Sequence, residues 1–75
     1  MRKKLKKKLV GTLAANVKRL RRAKGWTQSD LATEANVRQA LISEIEKGVA
    51  NPTMRTIAKL AHALDVDPVD LFSVA

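Results

Sequence analysis

Cysteine is absent from the 75-residue chain, so no disulfide can form, no cysteine-containing metal site can exist, and packing alone must hold the fold. That usage suits a reducing compartment, and a cytoplasmic location is expected. Tyrosine is absent too, and one Trp with one Phe is the whole aromatic complement. The stacking platform on which single strands and RNA are usually held is therefore missing. No apolar run approaches the ~20 residues that span a bilayer, so a soluble chain with no membrane span is expected. Met1–Lys8 carries the charge of a signal-peptide start, but the stretch Leu9–Val17 includes Gly11, Thr12 and Asn16 and is too short and too polar for a signal core. A mitochondrial presequence is the other targeting reading, and the helical pattern runs straight through it into a domain.

The most informative shortage is of acid. Asp30 is the first acidic residue: residues 1–29 hold eleven Lys and Arg with no Asp or Glu, whereas residues 30–75 hold four basic and seven acidic residues. The net charge of +8 thus averages a segment at +11 and one at −3. Localised positive charge is the footprint of a protein that meets a polyanion, either nucleic acid or an anionic membrane surface. Composition does not choose between them. The length allows one small domain with a thin, regular core, which dimerisation can supplement.

Apolar residues recur with helical spacing almost throughout. Leu9, Leu13, Val17 and Leu20 share one face of a first helix that Gly25 stops. Thr27-Gln28-Ser29-Asp30 is a capping box for a second helix, with Trp26 and Leu31 placed to close over it as a staple. Asn36 provides the tight exit. A third helix runs from Gln39 to Lys47 and ends at Gly48; Asn51-Pro52-Thr53 is a turn; Ile57, Leu60, Ala61 and Leu64 mark a fourth helix ending near Asp65. Asp67-Pro68-Val69-Asp70 starts a fifth, carrying Leu71, Phe72 and Val74. No segment alternates with period two. The expectation is an all-α domain over residues 9–75, with residues 1–8 forming either a basic N-terminal arm or an extension of helix one.

The short link between helices two and three suggests a helix-turn-helix. Helix three has two usable faces. At about 100° per residue from Gln39, the apolar Leu41, Ile42 and Ile45 gather in one arc near 200–300°, and Gln39, Ser43, Lys47, Ala40 and Glu44 fall between roughly 0° and 140°. That second face is small or hydrogen-bonding. Gln pairs bidentately with adenine, Ser donates or accepts, and Ala permits close approach or touches a thymine methyl. Its alternative use is as an ordinary solvated surface.

Leu20-Arg21, Gly25–Ala32, Asn36-Val37, Ile42–Gly48, Pro52, Ile57–Ala61 and Leu64–Val66 together resemble the Cro and phage-repressor (XRE) type of helix-turn-helix domain across residues 11–72. The resemblance implies a five-helix, lambda-repressor-like fold and a homodimer at a palindromic operator in double-stranded DNA, with helix three in the major groove. Position by position it implies that Gln39, Ala40, Ser43 and Glu44 read bases. It places Thr27, Lys47, Asn51 and Arg55 at phosphates, has Gln28 touch a phosphate while bracing Gln39, and makes Arg21 and Glu46 a buried ion pair. The angle of Glu46, about 340°, borders the apolar arc and suits that last role. Three departures stand out. Asn36 replaces the usual turn glycine; Arg38 replaces the usual Ser or Thr cap, so a cation there points to a DNA contact; and Arg2, Lys3, Lys4, Lys6, Lys7 and Lys8 form a basic stretch that either tracks DNA or lies in solvent.

Other chemistry finds no support. His62 is the sole histidine, Asp65, Asp67 and Asp70 lack the glycine and glutamate of a calcium loop, and no phosphate-binding glycine loop is present. No enzyme activity, metal, cofactor or small-molecule ligand is expected. Leu71, Phe72 and Val74 are the candidate dimer contacts. The rival readings are a protein-interaction module, such as the antitoxin of a toxin–antitoxin pair, and a membrane-surface binder acting through residues 2–24.

Overall fold

Residues 2–74 are described by the computed structural model, and among them lie four α-helices, one 3₁₀ helix and no strand. The α-helices are α1 (Lys3–Ala23), α2 (Gln28–Ala35), α3 (Gln39–Glu46) and α4 (Met54–Leu64). The expected fifth α-helix is instead a five-residue 3₁₀ helix, Pro68–Phe72. Its start is as expected: Asp67 Oδ1 accepts from Val69 N at 2.9 Å, and Asp70 Oδ2 accepts from Asp67 N at 3.1 Å. A segment this short closes too few i→i+4 bonds to offset nucleation, so it takes the tighter i→i+3 pattern.

The capping box of α2 is complete. Asp30 N donates to Thr27 Oγ1 at 3.0 Å, and Thr27 N donates to Asp30 Oδ2 at 2.8 Å. Thr53 caps α4 by accepting from Thr56 N at 3.1 Å. Arg38 gives α3 no side-chain cap, and Arg2 gives none to α1.

All four α-helices leave by one device. Gly25, Asn36, Gly48 and Asp65 take left-handed φ values of 73°, 54°, 74° and 59°. At each, its own N–H bonds the carbonyl three residues back, and the next N–H bonds the carbonyl five back: Trp26 N to Arg21 O, Val37 N to Ala32 O, Val49 N to Glu44 O, Val66 N to Ala61 O, all within 3.2 Å. This is the Schellman exit, and the residue after it commonly folds inward. Trp26, Val37 and Val66 pack against the core, whereas Val49 is 71% exposed.

Leu13 and Val17 of α1, Leu31 of α2, Ile42 and Ile45 of α3, and Ile57, Leu60 and Leu64 of α4 meet in one core. Leu71 completes it. Expected among the dimer contacts, this residue is wholly buried inside its own protomer, because the 3₁₀ helix turns it inward, leaving Phe72 37% and Val74 80% exposed.

One polar side chain holds that segment in place. Asn16, buried on the core side of α1, donates through Nδ2 to Leu71 O at 2.9 Å and Ser73 O at 2.8 Å, while its Oδ1 accepts from Arg19 Nη2 at 3.2 Å. Both amide hydrogens are thereby used. Asn16→Ala removes the donor for two carbonyls and should lower stability by ~1–3 kcal/mol. Urea denaturation will show it, and an unchanged midpoint would mean that the clamp carries no stability.

Candidate nucleic-acid interface

A three-residue turn, Asn36 to Arg38, joins α2 to α3. Ile42 and Ile45 are buried to 0% and 1% exposure and Leu41 packs beside them, so the inner face of α3 is spent on the core. The outer face carries Gln39, Ala40 and Glu44, all exposed, with Ser43 half-buried at its edge. Arg38 is exposed at the uncapped start of this helix, where free backbone N–H groups and the helix dipole favour an anion.

Further cations and hydrogen-bond donors are exposed on the elements before and after α3. Thr27 is exposed at the N-cap of α2; Lys47 and Asn51 are exposed on either side of the turn that leaves α3; Arg55 is exposed in the first turn of α4. Arg2 and the five lysines between Lys3 and Lys8 are all exposed, the lysines along the opening turns of α1.

Beneath this surface lies a buried junction. Arg21 Nε donates to Glu46 Oε2 at 2.7 Å and Arg21 Nη2 to Glu46 Oε1 at 3.0 Å, a two-pronged pair with the side chains 10% and 1% exposed. The remaining guanidinium nitrogen, Nη1, donates to Trp26 O at 2.7 Å. Gln28, half-buried at the start of α2, donates through Nε2 to Glu46 Oε1 at 3.2 Å. The resemblance pairs that amide with Gln39; in the free protein it is turned inward, where a buried carboxylate is the stronger acceptor. Burial pushes the Glu46 carboxyl upward, but hydrogen bonds from Arg21 and Gln28 and the charges of Arg21 and Lys18 outweigh it and hold the group below the usual carboxylate range. Its hydrogen bond to Glu46 raises the Arg21 guanidinium above its already high value, against the opposing effect of desolvation.

One of these arrangements escapes a linear reading. Gln28 reaches Glu46 across eighteen residues of sequence, and no local pattern announces that. Asn16 did leave a signal: with Leu13, Val17 and Leu20 it falls on the apolar face of α1, where an amide needs a partner.

Among the described residues no group of His, Cys, Asp and Glu could hold a metal ion, and no helix is long and apolar enough to cross a membrane.

Comparison with known proteins agrees with this geometry. A family model described as helix-turn-helix matches residues 17–71. The chain is 43% identical over 65 residues to y4dJ of Sinorhizobium fredii, an uncharacterized HTH-type transcriptional regulator, covering 87% of this chain and 80% of that one. It is 39% identical over 54 residues to the antitoxin HipB of Escherichia coli, covering 72% and 61% of the two chains. The solved structure of the restriction-modification controller protein C.AhdI from Aeromonas hydrophila superposes with a TM-score of 0.81 at 33% identity, covering 84% of this chain and 96% of that one.

The ion pair has a pH signature. Because the folded-state pKa of Glu46 is lowered, its stabilising contribution is complete above the ordinary value of about 4.5 and is lost as pH falls through the folded value. Glu46→Gln strands the buried guanidinium and should cost ~3–5 kcal/mol near neutral pH. The gap in melting temperature between parent and variant should narrow as pH falls below about 4.5. A gap that stays constant down to acid denaturation would show that the charge on Glu46 contributes nothing.

Proposed function

The chain belongs to the helix-turn-helix family of DNA-binding transcriptional regulators, and on that premise we propose that it reads a palindromic operator in duplex DNA as a homodimer, with α3 in the major groove. The observation that carries this reading is the division of α3 into a buried Ile42–Ile45 face and an exposed face of Gln39, Ala40, Ser43 and Glu44. Those four side chains suit base edges: Gln39 pairs with adenine, Glu44 accepts from cytosine N4, Ser43 donates or accepts, and Ala40 lets the helix come close. Arg38, at the head of the helix, reaches the adjoining bases.

Phosphate contacts come from Thr27, Gln28, Lys47, Asn51 and Arg55, and they set register without choosing sequence. The basic stretch from Arg2 to Lys8 adds to affinity by releasing counterions. Phe72, exposed at the end of the clamped 3₁₀ helix, and Val74 just after it form the dimer seam together with their symmetry mates. Such a protein needs no cofactor or small-molecule effector, performs no catalysis and works in the cytoplasm, on the nucleoid. The identity with HipB supports a second reading, in which the domain neutralises a protein partner.

Selection of bound sequences from a random duplex library separates the two: a palindromic consensus supports the operator reader, and no enrichment rejects it. On the selected site, Gln39→Ala should cost ~1–3 kcal/mol and relax choice at one base pair per half-site, with melting nearly unchanged. Equal binding of parent and variant to every duplex would misplace the reading face. Phe72→Ala and Val74→Lys should each weaken self-association in sedimentation, and a parent that stays monomeric at high concentration would reject the dimer.

A further inference from the structure

The lysines of the first turns of α1 are not equivalent. Lys3, Lys6 and Lys7, with Val10, form one wall of a groove of about 250 Å³ whose other wall is the turn Gly48–Asn51. Lys8 lines a different groove, against Ser73 and Val74, on whose rim Lys7 also stands, and Lys4 lines neither. The helix rises about 6 Å from Lys3 to Lys7.

Three features make this groove a receptor for anions. None of the seven acidic residues lines it, and the one ion pair among the described residues is Arg21–Glu46, so its ammonium groups meet no carboxylate. They also stand at the positive end of the α1 dipole, with no acid in the first turn, an arrangement that an incoming anion relieves. On the opposing wall, the backbone N–H groups of Ala50 and Asn51 donate to no acceptor among the described residues. Val49 and Val10 add an apolar bed on which lysine stems can lie with their heads outward. That use accounts for Val49 being the one residue after a helix exit that stays in solvent.

We propose that this groove is a dedicated site for DNA backbone phosphate, continuous with the phosphate contact at Asn51, and that it holds the one or two phosphates adjoining it on the same strand. The inference rests on duplex DNA being the target. It divides the basic stretch into a seated part, Lys3, Lys6 and Lys7, and a part that acts only through diffuse charge, Lys4 and Lys8.

Two double variants remove equal charge: Lys3→Gln with Lys6→Gln, and Lys4→Gln with Lys8→Gln. Binding is measured against salt concentration on the selected duplex and on copies with single phosphates neutralised as methylphosphonates. The first variant should bind about 5- to 20-fold more weakly near 0.1 M salt and flatten the salt dependence by roughly one to two ions per protomer. It should also become indifferent to neutralisation of one or two phosphates next to those at which Asn51→Ala loses its sensitivity. The second should weaken binding by no more than about threefold and keep the parent's sensitivity at every phosphate. Equal losses in the two variants, or a first variant still sensitive at those phosphates, would overturn the site. If the parent enriches no sequence, the operator reading fails separately, and the difference in salt slope between the variants on a random duplex still decides the groove.

Discussion

Arg21 and Glu46 meet where α1, α2 and α3 come together, and the placement of the recognition surface depends on that meeting. Burying two opposite charges costs several kcal/mol for each ion, offset only where geometry is good and leftover donors and acceptors are satisfied. Here they are: the guanidinium uses its third nitrogen on Trp26 O, and the carboxylate takes a further bond from Gln28. The pair is directional in a way that the surrounding Ile and Leu contacts are not. Apolar side chains would tolerate α3 rolling by some degrees against α1; a two-pronged bond at 2.7 and 3.0 Å does not. The exposed face of α3 therefore has a fixed bearing relative to the cations of α1.

Polarity follows from the same economy. A core built from four α-helices in a chain of 75 residues has little interior to spare, so every charge but the Arg21–Glu46 pair is placed outside that core. Basic residues occupy the first helix, and Asp65, Asp67 and Asp70 gather at the end of the chain, where two of them are engaged in capping the 3₁₀ helix. Long-range attraction between the cations of α1 and a polyanion orients an encounter before any contact forms.

Much of this architecture was legible in the sequence because the signals are local. The Thr27–Asp30 box, the left-handed Asn36, and the apolar steps from Ile57 to Leu64 each lie within a turn or two of chain, and each was found where expected. The helix-turn-helix between α2 and α3 followed from them. What the sequence left obscure depends on partners far along the chain or on length. Asp67 and Pro68 announce a helix start without saying whether enough residues follow to sustain an α-helix. Lysines favour helix and also solvated coil, so composition did not mark Lys3 as the beginning of α1. Asp65 was recognised as an end but not as a left-handed residue, a conformation that glycine more often takes. The inward turn of Gln28 and the burial of Leu71 belong to tertiary packing.

The repeated helix exit has a consequence for how this protein can change over time. Each corner is closed by two backbone hydrogen bonds to carbonyls at fixed offsets, and its positive φ confines the corner residue to the few types that tolerate the left-handed region, here Gly, Asn and Asp. Helix length is held as strictly. One residue added inside α3 before Ile42 would turn the rest of the helix by about 100° about its axis, trading its polar face for its isoleucines and carrying Glu46 away from Arg21. Drift by substitution at the corners is narrow, drift by insertion within the helices is closed, and variety must arise on the exposed faces between them.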